Sequence, residues 1–492
     1  MEIRKIDQVI LFLITLTFYG YFLRPPDWNI ASRLSLVKAV VEEHRLEIDS
    51  YHDSEYATGD KALVNGHYYS DKPIGASLLG VFAYWPVYQI TGQSLPRQPF
   101  TMLITALAIG LPCALLAPLL YGTSLRINRN RWMALTVSLC ICLGTAIFPF
   151  AGAFYGHSPA ALLAFAFFAI WLDVNQFDVP ITANRILLSG FFIGYMLLTE
   201  YSALIIALVL TGYAAAVVRS KRGPWKWKAL IPFAAGGLIP LILLLGYNWA
   251  SYGSPLEIGY ANEYLEEFQS LRTTGFLGFG WPSFETLLYM TIHPMQGIFI
   301  QSPVLLIAFV GMVVMTRFKE LRLEFAVAVL AIASHFLVIS GAGYWWGGDS
   351  FTVRYLIPVI PFFGFFLMYV PKKWYPLLIG LGLVSIFQMM IASATLFYFM
   401  DQMVRETLAG GFVFSWESSL MYREMFPKLM KNIMTFTWGK YLFRIDSWYF
   451  NFAIPMSIAT GLLIVFWIAG RAKPATAGQV SLHPPGDPQP VK

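Results

Sequence analysis

Charge is scarce in this chain. Only 13% of its 492 residues are Asp, Glu, Lys or Arg, where soluble domains carry about 25%. That shortfall excludes a soluble globular fold. Cysteine is nearly absent: Cys113, Cys140 and Cys142 all lie in apolar segments and none in a polar loop. Neither a disulfide framework nor a zinc site is indicated, and the three read as small buried residues. No nucleotide-binding motif occurs, so no nucleotide or organic cofactor is expected. No convincing inverted repeat occurs either, which weakens a transporter reading. The net charge of +6 does not signal nucleic acid, because the basic residues sit in short loops between apolar runs. The opening "MEIRKIDQVILFLITLTFYGYFLRPP" has no small-residue cleavage site after its apolar core, so a retained anchor helix is expected.

What the chain has in abundance is apolar sequence, 57% of the total, in runs of bilayer length. Orientation follows from the lysine and arginine bias of short loops. "RINRNR" at 126–131, "RSKRGPWKWK" at 219–228, "RFKELR" at 317–322 and "KK" at 372–373 mark the cytoplasmic side, as do Arg4 and Lys5. If 6–23, 74–92 and 98–121 all crossed, "RINRNR" would fall outside. The conflict vanishes if 74–92, rich in Tyr84, Trp85 and Tyr88 and interrupted by Pro86, lies along the interface. Spans are then expected at 6–23, 98–121, 132–150, 157–173, 186–199, 201–218, 229–250, 297–316, 324–342, 355–370, 374–398 and 451–469. The expectation is an all-α polytopic membrane protein of about twelve transmembrane helices, with both termini cytoplasmic. The run 186–218 carries "TEY" in its middle and reads as two short helices meeting near Glu200.

Segments 24–97, 251–296 and 399–450 are long and fall on the outer side, with a short polar and aromatic one at 341–355. The first concentrates charge of both signs before an apolar helix, including Asp49, Asp60, Asp71, Lys72 and Arg33. Its stretch "RLSLVKAVVEEH" has helical spacing suited to a membrane surface. A solvated loop alone accounts for most of these charges taken singly. Together they suit a carboxylate base toward a hydroxyl or amine, with Lys and Arg to hold a phosphate leaving group. Tyr and Trp faces suit sugar rings, although interfacial belts use the same residues.

"YSDKPIGASLL", "LPRQPF", "GFFIGYMLLTEYSALI", "FPFAGAFYGHSPAALL" and "YWWGGDSFTVRYLIPVIPF" together resemble elements of the GT-C superfamily of membrane glycosyltransferases. The resemblance is to the bacterial branch related to protein O-mannosyltransferases and aminoarabinose lipid A transferases, and it covers the first 370 residues. It implies a GT-C-like fold whose first extracytoplasmic loop contains interfacial helices, and a polyprenyl-phosphate sugar as donor. By this resemblance Lys72 contacts the donor phosphate, helped by Arg354, Arg97 or Arg33. Tyr69, Glu200 and Trp346 would line the substrate cavity. Family members have an Asp-Glu pair just after the first span, whereas "RPPDWNIASRLSLV" offers Asn29, Ile30 and Ala31 there, with Asp27 close but out of register. Either Asp71, Asp60 or Asp49 serves as base, or the protein binds without catalysing.

Individual residues keep two readings each. His157 either binds a divalent cation with Asp60 or Asp49, or bonds to backbone at a helix start. Glu200 is a functional carboxylate in an apolar hairpin or one satisfied by neighbouring hydroxyls. Arg354 forks onto a phosphate or pairs with Asp349. Tyr344, Trp345 and Trp346 form an aromatic belt or a sugar platform. The module is expected to occupy residues 1–370, with further membrane helices and an outer loop at 399–450 within 371–470 and a disordered tail at 471–492. The function expected is glycosyl transfer, with inversion, at the outer face of a bacterial plasma membrane, onto a lipid, glycan or protein. An envelope polysaccharide polymerase or ligase, or a non-catalytic binder or transporter of lipid-linked glycan, is the alternative. Membrane lipids are partners; nucleic acid is not.

Overall fold

The computed structural model describes residues 5–221, 226–272, 278–396 and 400–471; the polar tail beyond Arg471 lies outside the described residues. Helix α1 (Lys5–Tyr21) runs into a short strand β1 (Phe22–Leu23), which Pro25 and Pro26 follow. Next come α2 (Trp28–Lys38), a hairpin of β2 (Ala62–Val64) and β3 (His67–Tyr69), and α3 (Gly75–Thr91). The membrane helices follow: α4 (Arg97–Asn128), α5 (Arg131–Leu143), α6 (His157–Gln176), α7 (Ala183–Thr199), α8 (Tyr201–Ser220) and α9 (Trp227–Tyr252). Beyond the short α10 (Glu266–Arg272) lie α11 (Pro303–Met315), α12 (Lys319–Ser340), α13 (Arg354–Leu367) and α14 (Lys372–Ala394). Helix α15 (Met400–Ala409), strand β4 (Phe436–Thr437) and α16 (Trp448–Arg471) complete the path.

Among the described residues, seven helices are long and apolar enough to cross a bilayer: α4, α6, α8, α9, α12, α14 and α16. The count falls short of the expected twelve without the shorter apolar helices. The stretches expected at 132–150, 186–199, 297–316 and 355–370 form shorter apolar helices of 10–17 residues. Chain breaks shorten them: α11 starts only at Pro303, and the last opens with a 3-10 turn carrying Pro358.

The 186–218 run does divide where expected. Helix α7 ends at Thr199, Glu200 takes an extended conformation (φ −152°, ψ 105°), and its carboxylate caps the turn that opens α8. Two glycines make this break a junction. A Cβ on Gly156 would stand 2.1 Å from the Thr199 carbonyl oxygen, and one on Gly75 2.4 Å from its Oγ1. The starts of α3 and α6 therefore close onto the end of α7. Further along, Gly190 and Gly194 space small residues one turn apart, and Gly236 on α9 approaches so closely that a Cβ would lie 1.9 Å from the Leu187 carbonyl oxygen. This is the small-residue packing by which membrane helices associate without a hydrophobic driving force.

Helices α1 and α16 are fastened through Arg131 at the end opposite the long loops. Arg131 Nε and Nη2 donate to the Asp7 carboxylate at 2.8 and 2.6 Å, Tyr121 donates to it at 2.6 Å, and the guanidinium lies 3.5 Å from the Phe466 ring centroid. At the loop end, β1 pairs antiparallel with β4 in the register Phe22↔Thr437 and Leu23↔Phe436. The β2–β3 hairpin turns through Asn65 and Gly66, both at positive φ (51° and 84°), as a two-residue hairpin turn demands.

Candidate functional site

Two cavities meet at the loop end. The first is a vestibule of about 580 Å³ under α15 and α10, lined by Asp27, Asp60, Arg97, Tyr155, Arg354 and the roof residues Glu267, Asp401 and Arg405. The second is a groove of about 380 Å³ between α8 and α12, lined chiefly by apolar residues such as Leu204, Leu208 and Ile339, with Glu200 and Tyr260 also in its wall. Tyr344 belongs to both walls.

Lys72 lines neither cavity but touches one wall residue of each. Its ammonium lies 3.0 Å from Asp60 of the vestibule, 2.6 Å from Asp71, and 5.4 Å from the centroid of Tyr260 of the groove. The residue before a proline is biased away from helix, so Pro73 keeps Lys72 ahead of α3. The segment is clamped from several sides. Tyr247 and Tyr252 donate to the Ser70 carbonyl at 2.9 and 2.7 Å, Arg33 to the Pro73 carbonyl at 2.7 Å, and Ser32 to Asp71 at 3.3 Å. Burial by itself lowers the Lys72 ammonium, but Asp60 and Asp71 outweigh it and hold the group above its ordinary range. Asp60 is raised, mainly by burial and further by Asp71, against the pull of Lys72.

Arg354 faces the same vestibule. Its Nη1 donates to the Tyr155 hydroxyl at 2.9 Å, while its buried Nε has no hydrogen-bond partner among the described residues. Gly347 and Gly348, both at positive φ, fold the preceding loop over it; a Cβ on Gly347 would be 3.0 Å from that Nε. A buried N–H of a charged group left without an acceptor is costly.

Asp27 completes the polar wall. It is the N-cap of α2, its Oδ1 accepting from the Ile30 amide at 2.9 Å. Its Oδ2 takes the Tyr155 hydroxyl and stands 2.9 Å from Arg24. Arg24 in turn donates to the Asp349 carbonyl at 2.7 Å. The chain Asp27–Tyr155–Arg354 thus fixes the arginine from across the vestibule.

Of the residues singled out from the sequence, Asp60, Arg97 and Arg354 line the vestibule, Glu200 lines the groove, and Lys72 touches one wall residue of each. Others are placed elsewhere. Asp49 belongs to the hairpin, 2.7 Å from His67 and accepting the Tyr68 amide at 2.7 Å. Tyr69 is buried edge-on against Tyr252 and lines neither cavity. Arg33 and Asp71 lie beneath the site as clamps, and Trp346 donates to Asp401 at 2.7 Å behind the vestibule wall. Arg354 does not pair with Asp349, whose carboxylate accepts the Asp401 amide at 3.0 Å instead. His157 is 2.7 Å from Glu200 rather than joined to Asp60 or Asp49, a buried pair at the α7–α8 break. Among the described residues no three His, Cys, Asp or Glu side chains are grouped closely enough to hold a metal ion.

Sequence reasoning missed the part Asp27 and Tyr155 play, and the roof. An Asp three residues before Ile30 at a helix start carried an N-cap signal, and Asp401 with Arg405 carried an i,i+4 ion-pair signal. Nothing in sequence joined Asp27 to Tyr155.

No family model matches the sequence, and no curated protein matches it significantly. Among solved structures the chain is similar to ArnT from Cupriavidus metallidurans bound to undecaprenyl phosphate, at 16% identity and a TM-score of 0.49 over 95% of this chain and 80% of that one. It is similar to the apo state of the same protein at 17% identity and a TM-score of 0.45 over 92% and 76% of the two chains. It is also similar to the archaeal oligosaccharyltransferase AglB from Archaeoglobus fulgidus, in complex with an inhibitory peptide and a dolichol-phosphate, at 11% identity and a TM-score of 0.43 over 79% and 55%. These similarities concern the path of the chain and carry no residue of it into a role.

Proposed function

We propose that the protein is a membrane glycosyltransferase that moves a sugar from a polyprenyl-phosphate donor to an acceptor at the outer face of a bacterial plasma membrane. One observation carries the reading: Lys72 touches one wall residue of an apolar groove and one of a polar vestibule. A polyprenyl phosphate has that same division, an apolar chain and a charged head. Its chain fits the groove beside Leu204 and Leu208, which are 53% and 60% exposed. Its phosphate meets the unpartnered Arg354 Nε and the ammonium of Lys72. The sugar then projects into the vestibule. The GT-C resemblance of "YSDKPIGASLL" agrees with this placement, and the lysine- and arginine-rich loops at the opposite end support an outward-facing vestibule.

Asp60 is the base this geometry favours. It lines the vestibule, and among the described residues only its Oδ2 is engaged, by Lys72 at 3.0 Å. Both oxygens of Asp27 are already taken, by a helix start and by Tyr155 and Arg24. An acceptor hydroxyl gives its proton to Asp60 as its oxygen bonds to the anomeric carbon from the face opposite the phosphate. The bond from that carbon to the phosphate oxygen breaks, and polyprenyl phosphate leaves with its charge held by Arg354 and Lys72. Asp27 acts through Tyr155 as a positioning residue for Arg354.

The test is binding and turnover in nanodiscs. Undecaprenyl phosphate should bind the wild-type chain and bind Arg354→Ala at least tenfold more weakly, and polyprenyl-phosphate sugars should be turned over. Binding without turnover of any such sugar would favour a non-catalytic binder; absence of binding would end the reading.

A further inference from the structure

The roof of the vestibule carries chemistry that donor binding does not use. Trp28, 52% exposed, forms one end of a line of rings that continues edge-on to Phe268 at 6.4 Å and then to Tyr344 at 6.2 Å. All three line the vestibule, and they come from three separate stretches of chain. Gly59 allows this: a Cβ there would be 2.8 Å from the Trp28 ring. Against the rings stand planar polar groups. Arg405 bridges α15 to α10, with Nη2 2.7 Å from Glu267 and Nε 2.8 Å from Asp401, and Gln402 lies beside it on the same wall.

We infer that the acceptor is a carbohydrate, seated with the C–H face of a sugar ring on Trp28, with Phe268 at its edge, and its hydroxyls on Glu267, Gln402 and Arg405. The inference rests on the glycosyltransferase reading and names the substrate class of the same site. Aromatic faces attract the weakly positive C–H groups of a pyranose, and carboxylate, amide and guanidinium edges match its hydroxyls in pairs. The cavity, about 580 Å³, lies within the roughly 300–1,000 Å³ of small-molecule sites, which leaves room for a ring beside the donor sugar. A lipid acceptor would need a second apolar channel, yet the vestibule wall carries Asp27, Asp60, Asp349, Arg97 and Arg354. Among the described residues this wall offers no strand edge onto which an extended peptide could add.

Saturation-transfer NMR on the full chain in nanodiscs tests the point, with methyl glycosides of hexoses and pentoses, a serine- and threonine-containing hexapeptide, and undecaprenyl phosphate as probes. Ring protons of at least one glycoside should receive saturation, the peptide should not, and the signal should fall at least fivefold in Trp28→Ala and largely return in Trp28→Phe. Gln402→Ala, far from any packing on Gly59, should also reduce it and guards against a misfolded Trp28 variant. No glycoside signal above empty nanodiscs, or one indifferent to both Trp28→Ala and Gln402→Ala, overturns the inference while leaving the enzyme a peptide or lipid acceptor. Failure of undecaprenyl phosphate to bind the wild-type chain strikes the underlying reading instead, so the two failures are told apart.

Discussion

Replacing Lys72 with methionine keeps the length and apolar stem of the side chain and removes one charge that serves two carboxylates. Lys72 is 7% exposed and Asp71 1%, at 2.6 Å, with Asp60 at 3.0 Å on the other side. Removing one partner of a buried ion pair costs about 3–5 kcal/mol, because the remaining charge is left uncompensated. Two carboxylates are stranded here, so Lys72→Met should lose stability at the upper part of that range. The loss should shrink as pH falls and the stranded carboxylates take up protons. Adding Asp71→Asn removes one of the two and should recover about 1 kcal/mol or more, a non-additivity expected of groups in direct contact. The double variant separates fold from function. It should unfold in detergent closer to the wild type than Lys72→Met does, yet bind undecaprenyl phosphate about 10–100-fold more weakly, since a hydrogen bond to a charged group contributes about 1.5–3 kcal/mol. Binding within twofold of wild type in the double variant would refute the assignment of Lys72 to the lipid phosphate.

Asp60→Asn should abolish transfer while the chain still binds undecaprenyl phosphate. In the wild type the acid limb of the rate profile should lie above the ordinary carboxylate range, because burial raises this group and it must be ionised to accept a proton. The same raised value means that Asp60 favours the folded state below its unfolded value and that this contribution is lost as pH rises through the folded one; Asp60→Asn should flatten that slope in unfolding curves. At the hairpin, Asp49 holds the His67 imidazole above its ordinary value. Burial alone would raise Asp49, but His67 and the Tyr68 amide outweigh it and hold the carboxyl below its usual range. Protection of the Tyr68 amide from exchange should therefore be greatest between the two folded values, falling as pH rises through that of His67 and as it drops through that of Asp49; His67→Gln should remove the upper limb. Gly236→Val places atoms against the Leu187 carbonyl oxygen, where even a Cβ would stand 1.9 Å away. It should cost about 1–3 kcal/mol or more by overpacking and lower the unfolding midpoint in detergent, whereas Gly246→Ala, with nothing within 4 Å, should not.

Charges beside apolar runs were legible, because an ionised group next to a bilayer is costly and stands out in a sequence. That is how Lys72, Arg354 and Glu200 were found, and the break at Glu200 fell where "TEY" put it. The Asn65-Gly66 turn was equally legible by its residue types and was read past, which left Asn65–Tyr69 looking like part of a loop before a helix. Asp27 was set aside as out of register because register was judged along the chain, while its role comes from Tyr155, 128 positions away. The roof is similar: Arg405 meets Glu267 across a long stretch of chain, and a single sequence records no such meeting. Counting apolar runs overstated the long spans, since hydropathy sees composition and not the turns at Pro303 and Pro358 that shorten the helices.

The pairing of Phe22–Leu23 with Phe436–Thr437 bears on how the molecule is made. The first strand of the chain waits for a partner synthesised more than four hundred positions later, and α15, which roofs the vestibule, also emerges late. Such distant contacts close slowly and leave surfaces exposed meanwhile. A nascent chain halted before Met400 would already hold Lys72, Asp60, Arg354 and the α10 side of the roof, but not α15. The vestibule therefore stays partly unroofed through most of the chain's own synthesis, and a chain cut before Met400, about a fifth short, would keep Lys72, Asp60 and Arg354 without the wall that α15 supplies.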